Sequence, residues 1–278
     1  MGKMIKDING NMLADDDEIA PAKTGLKRYP FLFLVDISGS TGDQPDPDIH
    51  HINTSLANIM DLLRKPTPSS ELAKQIDKVD VCIVSYSDDV HDVMPWKEAE
   101  KIPASLPLLV PMGGTSTAKA FEYALNRIAD RLTFYNTKKL GFGMPHIIHF
   151  TDGAINDAKP GDAKWNAIKS RLSQVDGRTN SEKRIATMIN FISPKGCSKD
   201  FVEVDGRKMS GIELLSELTG AQSIYEMGKE QTTFEGFVKL ITVLITKITH
   251  NFRTQDAVDE AAKAIKDGKT KLRNVGKG

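Results

Sequence analysis

A chain of 278 residues that is 40% hydrophobic has material for a full apolar core, in one large domain or two small ones. Its 37 Lys and Arg balance 37 Asp and Glu, which excludes a global field that would draw it onto nucleic acid or an acidic membrane surface. The two cysteines, Cys82 in an apolar run and Cys197 in a Pro/Gly-containing loop, give neither a disulfide framework nor a thiolate metal site, and a reducing cytoplasm fits them.

Residues 1–28 hold few large apolar side chains, and the acids Asp15, Asp16, Asp17 and Glu18 predict a flexible or loosely docked N-terminal tail. No signal-peptide core is present, and Lys6 stands where a myristoylation pattern needs Ser or Thr. Asp7, Asn9, Asn11 and Glu18 fall at calcium-loop positions, but Met12 occupies the place of the required glycine and no helix pattern precedes it.

From Tyr29 onward strand-like and helix-like stretches alternate. Strands are expected at 31–35, 79–85, 91–94, 147–150, 185–192 and 223–225, with helices at 49–64, 117–132, 163–175, 211–218 and 234–251. "FLFLV" and "ATMINFI" are apolar runs rather than alternations, as strands buried on both faces are. The pattern predicts an α/β fold: one doubly wound, mostly parallel central sheet flanked by helices on both faces, over residues 29–253. Residues 254–278 read as a charged helix ending near Asp267, followed by a basic end. The apolar stretch Val238 to Ile248 is broken by Lys239, Thr242, Thr246 and Lys247, and a bilayer needs roughly 20 apolar residues, so a soluble protein without a membrane partner is expected.

Ligands of such sheets bind beyond the carboxyl ends of the strands. There the first strand delivers Asp36, Ser38 and Ser40, the strand at 147–150 delivers Asp152, and the loop "PMGGTST" delivers Thr115. Hydroxyls and carboxylates without imidazole or thiolate suit a hard cation such as Mg²⁺, with six oxygens at about 2.0 to 2.1 Å. Ser38, Ser40 and Thr115 offer three neutral oxygens, Asp36 and Asp152 two carboxylates acting directly or through water, and one position stays open. Turn formation or helix capping explains each residue singly, whereas one metal site explains all five. His146 and His149, three apart on a strand, point to opposite faces and leave zinc short of ligands. His50 and His51 fall at a helix start, in solvent.

"DISGS" at 36–40, "GGTS" at 113–116 and "FTDG" at 150–153 resemble, in that order, the metal-ion-dependent adhesion site of von Willebrand factor A domains. The resemblance covers roughly residues 29–251 and includes Asn53 and "CIVSYSDDV" at 82–90. It implies that Ser38, Ser40 and Thr115 are direct ligands, that Asp36 and Asp152 act mainly through water, and that a partner's Asp or Glu supplies the sixth oxygen. Mn²⁺ and Ca²⁺ are alternatives to Mg²⁺. Within the family the chain is most similar to the cytoplasmic bacterial TerY-type proteins of tellurium-resistance and stress operons, which implies a protein kinase and a PP2C-like phosphatase as partners. Thr41 replaces the common Met, and Asp43, Asp46 and Asp48 in the following loop would either repel an acidic ligand or hold a second cation.

Two rival readings remain. An Mg²⁺-dependent hydrolase or phosphotransferase needs a base near the metal, and the haloacid type carries Asp where Ser38 stands; no G-x-S-x-G elbow occurs. A scaffold with an inert metal would bind partners through apolar groups such as Met94, Pro95 and Trp96, or Phe142 and Met144. "DGKT" at 267–270 lacks the first P-loop glycine, and "GFGMPH" at 141–146 leads into a strand instead of a helix, so nucleotide binding is rejected at both. The protein is expected to be a binding module and not an enzyme.

Overall fold

The computed structural model describes residues 4–6, 10–14, 25–43, 47–172, 186–193, 201–220, 224–226 and 232–250, together with 256–257, 260 and 273–274. Strands β1 (Met4–Lys6) and β2 (Met12–Ala14) form a short antiparallel ribbon, followed by β3 (Tyr29–Asp36), α1 (Asp48–Arg64), β4 (Val79–Tyr86) and β5 (Val90–Glu98). Next come α2 (Thr117–Thr137), β6 (His146–Thr151), α3 (Ala163–Leu172) and β7 (Thr187–Ile192). The remaining elements are β8 (Phe201–Val204), β9 (Arg207–Ser210), α4 (Gly211–Thr219), β10 (Ile224–Glu226), α5 (Thr232–Thr249) and β11 (Arg273–Asn274). Seven strands form one sheet in the order β11-β10-β7-β6-β3-β4-β5, parallel except for the edge strands β5 and β11.

The pleat of β3 explains how two helical layers share one sheet. Phe31, Phe33 and Val35 enter the core beneath α1 and α5, while Leu32 and Leu34 enter the core beneath α2, α3 and α4. Every residue of β3 is buried, as a central parallel strand with both faces covered requires. This is the architecture expected from the sequence. No helix among the described residues is long and apolar enough to cross a membrane.

Departures from the expected elements have local causes. β5 continues to Glu98, beyond the expected 94, because Pro95 sits at an edge where the register against β4 shifts between Val81 and Ile83 and no ladder bond is demanded of it. The hairpin β8–β9 was not foreseen, although Asp205 and Gly206 form its two-residue turn with φ of 48° and 76°, the pattern of an Asp-Gly type I′ turn. Its final Ser210 caps α4 and forms a capping box with Glu213. The short ribbon β1–β2, with Ile5 buried, lies within the expected tail, and most of the expected terminal helix lies outside the described residues.

At the amino end of the central strands a buried ionic knot ties the sheet to α2. Arg28, just before β3, meets Asp80 of β4 with Nη2 on Oδ1 and Nε 3.3 Å from Oδ2; Arg131 Nη2 stands 3.1 Å from the same carboxylate, and the Tyr135 hydroxyl donates to it. Burial alone would raise the Asp80 carboxyl, but Arg131 and Arg28 hold it below its ordinary value. Replacing Asp80 with Asn removes the carboxylate that two buried guanidinium groups share and leaves Arg28 with Glu98 at 3.8 Å. Urea unfolding of Asp80→Asn is expected to show a loss of about 3 to 5 kcal/mol; a loss below about 1 kcal/mol would contradict this role.

Candidate metal centre

The sheet order reverses between β3 and β6, since β4 and β5 extend to one side and β7 and β10 to the other. A crevice opens at such a switch point beyond the carboxyl ends of the strands. Asp36 is the last residue of β3, and Asp152 directly follows β6. A 3-10 turn at Gly39–Gly42, closed by the Thr41 hydroxyl donating to Ser38 O at 2.7 Å, carries Ser38 and Ser40 over the crevice. The third segment is drawn alongside by Met112 N donating to Ile37 O at 2.8 Å and Gly39 N donating to Gly113 O at 3.0 Å. Gly113 has a φ of 61°, and a Cβ there would strike the carboxylate of Asp88, which accepts from Gly114 N at 3.0 Å. That is why two glycines precede Thr115.

All five expected residues converge. Ser40 Oγ donates to Asp152 Oδ2 at 2.5 Å and lies 3.2 Å from Ser38 Oγ. Asp36 Oδ1 accepts from Ser38 N at 2.9 Å, and its Oδ2 accepts from the Thr151 hydroxyl at 3.1 Å. Asp152 Oδ1 accepts from Ala154 N at 3.0 Å. Ser38, Ser40, Thr115 and Asp152 line a cavity of about 260 Å³ together with the apolar Ile155, Val202 and Leu214. Asp36 is fully buried behind it.

The electrostatics of this cluster favour a cation. Burial, and then the charge of Asp152, push the Asp36 carboxyl up to about 7. Three hydroxyls and two carboxylates are the donor set of a hard divalent ion, and the residues present fit it. Among the described residues no cluster of three or more His, Cys, Asp and Glu occurs, so the fit rests on the hydroxyls.

Behind Asp36 lies a chain of polar groups that the sequence reading did not assemble. Tyr86 Oη is 3.2 Å from Asp36 Oδ2 and 2.8 Å from His149 Nε2; His149 Nδ1 is 2.8 Å from Asn190 Oδ1. Asn190 Nδ2 donates to Thr219 Oγ1 at 2.9 Å, and that hydroxyl donates to Leu215 O at 2.8 Å. Burial pushes the His149 imidazole down to about 4, so the ring is neutral. The Tyr86 hydroxyl donates to Asp36 Oδ2 and so joins that carboxylate to the His149 ring, which in turn meets Asn190.

His146 stacks on Phe31 with ring centroids 5.5 Å apart while His149 meets Phe121 on the other face, so the two do point apart. His50 is exposed and His51 half-buried at the start of α1. Of the loop acids, Asp43 is exposed, Asp46 lies outside the described residues, and Asp48 is buried in the first turn of α1, where it accepts from the Ser193 hydroxyl. Asp48 thus ties α1 to the segment after β7. Asn53 spans α1 and the loop before the site, donating to Leu109 O at 2.9 Å and accepting from Leu109 N at 3.0 Å. Met94 and Trp96 are buried, which removes them as a docking surface, while Met144 is exposed. Cys82 is buried, and Cys197 lies outside the described residues.

No family model matches the sequence. A segment of 143 residues, 50% of this chain, is 30% identical to the collagen alpha-4(VI) chain of Mus musculus, of which it spans 6%. Among solved structures, the pilus adhesin SpaC of Lactobacillus rhamnosus GG superposes with a TM-score of 0.52 at 13% identity, over 81% of this chain and 31% of that one. That likeness shows the fold alone, a doubly wound, mostly parallel α/β sheet. Mussel byssus proximal thread matrix protein 1 with a zinc-occupied MIDAS motif aligns at a TM-score of 0.45 and 15% identity, over 78% of this chain and 46% of that one. The ArnB paralog VWA2 of Sulfolobus acidocaldarius aligns at 0.45 and 14%, over the same shares.

The pH response of the metal-free protein follows from Asp36. A carboxyl raised to about 7 holds a proton that the unfolded chain has released above about pH 4, so its contribution falls as pH rises between these values. His149, lowered to about 4, acts with the opposite sign over pH 4 to 6.5. Asp36→Asn removes only the first effect. In EDTA the variant is expected to gain on the wild type by a few kcal/mol between pH 4 and pH 8 in urea unfolding; a difference independent of pH would contradict the assignment.

Proposed function

We propose that this chain is a metal-dependent protein-interaction module. Ser38, Ser40 and Thr115 bind a divalent cation, Mg²⁺ in the first instance with Mn²⁺ and Ca²⁺ as alternatives, while Asp36 and Asp152 act mainly through water. An Asp or Glu side chain of a partner protein completes the shell from the cavity. The observation that carries this reading is the convergence of three hydroxyls and the Asp152 carboxylate, from three separate segments, on one cavity at the switch point of the sheet, with the Asp36 carboxylate buried behind it. When bound, the ion would supply a positive charge to offset Asp36 and Asp152 and an open position for a carboxylate. The chain's own residues do the rest: Thr151 and Ser38 N hold the Asp36 carboxylate, Ala154 N holds Asp152, and the 3-10 turn presents the Ser38 and Ser40 hydroxyls.

Capture is favoured over hydrolysis by what surrounds the cavity. Among the described residues, those that line the cavity include no His, Lys or Arg that could act as base or hold a transferring phosphoryl group. The imidazole behind the site, His149, is fully buried with both nitrogens engaged. The narrower role, a cytoplasmic TerY-type protein in a bacterial stress-response or signalling complex with a protein kinase and a PP2C-like phosphatase, is supported by the sequence resemblance alone.

The test is retention of host proteins on immobilised chain in Mg²⁺ and in EDTA. Partners are expected to be retained by wild type in Mg²⁺, lost in EDTA and with Asp36→Ala, and lost after amidation of their carboxyl groups. Thr151→Val, which loosens Asp36, is expected to raise the Mg²⁺ concentration needed for half-retention by roughly 10- to 100-fold. Retention indifferent to EDTA, or Mg²⁺-dependent turnover of a phosphoester that Asp36→Ala abolishes, would overturn the reading.

A further inference from the structure

The segment "LLVPM", residues 108–112, leads into the site without belonging to any regular element. Leu108, Val110 and Met112 are exposed to 73%, 52% and 45%, whereas Leu109 between the first two is buried. Alternation of this kind marks an extended stretch with one face in the core and the other in water. Large apolar groups are ordinarily scattered singly on a surface; three at alternate positions form a stripe.

The stripe is held rigidly. The side-chain amide of Asn53 grips both main-chain groups of Leu109, Met112 N donates to Ile37 O, and the ring of Pro111 lies so close to Gly42 that a Cβ there would approach it to 2.8 Å. The main-chain groups of Leu108 and Val110 make no hydrogen bond among the described residues. One end of the stripe adjoins the cavity, since Gly113 and Thr115 follow Met112 and line it. From Leu108 to Met112 the stripe runs about 13 Å, at the rise of an extended chain.

We propose that Leu108, Val110 and Met112 form the second half of the docking surface. Their occupant is an extended segment of a partner protein, with apolar side chains at alternate positions and one carboxylate placed to reach the cavity. This rests on the reading of the cavity as a metal centre and adds what selects the partner. Extended shape is required because the unpaired main-chain groups of Leu108 and Val110 bond to a strand running beside them. A single carboxylate is required because the exposed acids Asp43 and Asp88 flank the site and repel a second one. Apolar side chains are required because only they gain by covering the stripe.

The test is selection of random twelve-residue peptides displayed on phage against the whole chain in Mg²⁺. Enriched sequences are expected to carry one Asp or Glu with apolar residues at alternate positions to one side. As synthetic peptides they should bind wild type at least tenfold more tightly than Leu108→Ser/Val110→Ser, and should be released by EDTA. Both substituted residues are exposed, so the double variant should match wild type in circular dichroism and in Mg²⁺ titration.

Peptides released by EDTA that bind the double variant as well as wild type would overturn the stripe and leave the metal centre standing. Peptides indifferent to EDTA but lost with the double variant would overturn the metal centre, and with it the joint surface proposed here. Absence of any enrichment in Mg²⁺ counts against the proposal. So does a homodimer that dissolves in the double variant, which would assign the stripe to a second copy of this chain.

Discussion

Two carboxylates close together at the reversal point of a parallel sheet are the constraint on which the rest of the molecule turns. Asp36 has no choice of environment: it ends a strand buried on both faces, and Asp152 arrives beside it because β6 is the neighbour of β3. Like charges in a low-dielectric site are relieved by a proton or by a cation. The hydroxyls of Ser38, Ser40 and Thr115, delivered from two further turns, make the cation the better answer, since they add neutral oxygens without adding charge.

The opposite end of the same sheet shows what a buried acid looks like when its role is structural. Asp80 sits one strand away from β3, as deeply buried as Asp36, and Arg28 and Arg131 hold its carboxyl below the ordinary value where Asp36 is held above. Asp80 closes the fold around α2; Asp36 is raised by burial and by the charge of Asp152, with no Arg or Lys among the causes that act on it. The polar chain Tyr86–His149–Asn190–Thr219 extends this contrast, because it anchors Asp36 to the end of α4 through groups that carry no compensating charge.

Most of the framework was legible in the sequence, for physical reasons. Apolar runs of strand length separated by helical periodicity admit few arrangements, and the right-handed crossover rule narrows them further. Thus β3, α1, β4, α2, β6, β7, α4 and α5 fall within a few residues of expectation. The five candidate ligands were legible because each stands at a strand end or helix start, the places a sheet of this class exposes. What escaped was either weak in pattern or non-local. The hairpin β8–β9 is four residues on each side and half-exposed, so only its Asp205-Gly206 turn announced it. The partnership of Tyr86, His149 and Asn190 joins three strands at separations of 41 and 63 residues, which no local pattern reveals. Asn53 falls within the family resemblance, but its grip on Leu109, 56 residues away, exists only in the folded chain.

The central claim is that a hard divalent cation binds between Asp36 and Asp152. The most direct measurement is isothermal titration of Mg²⁺ into EDTA-stripped protein, for wild type, Ser40→Ala and Asp152→Asn. The account predicts one ion per chain for wild type, with both variants weakened at least 100-fold. Absence of Mg²⁺ binding by wild type, or equal binding by all three proteins, would contradict it.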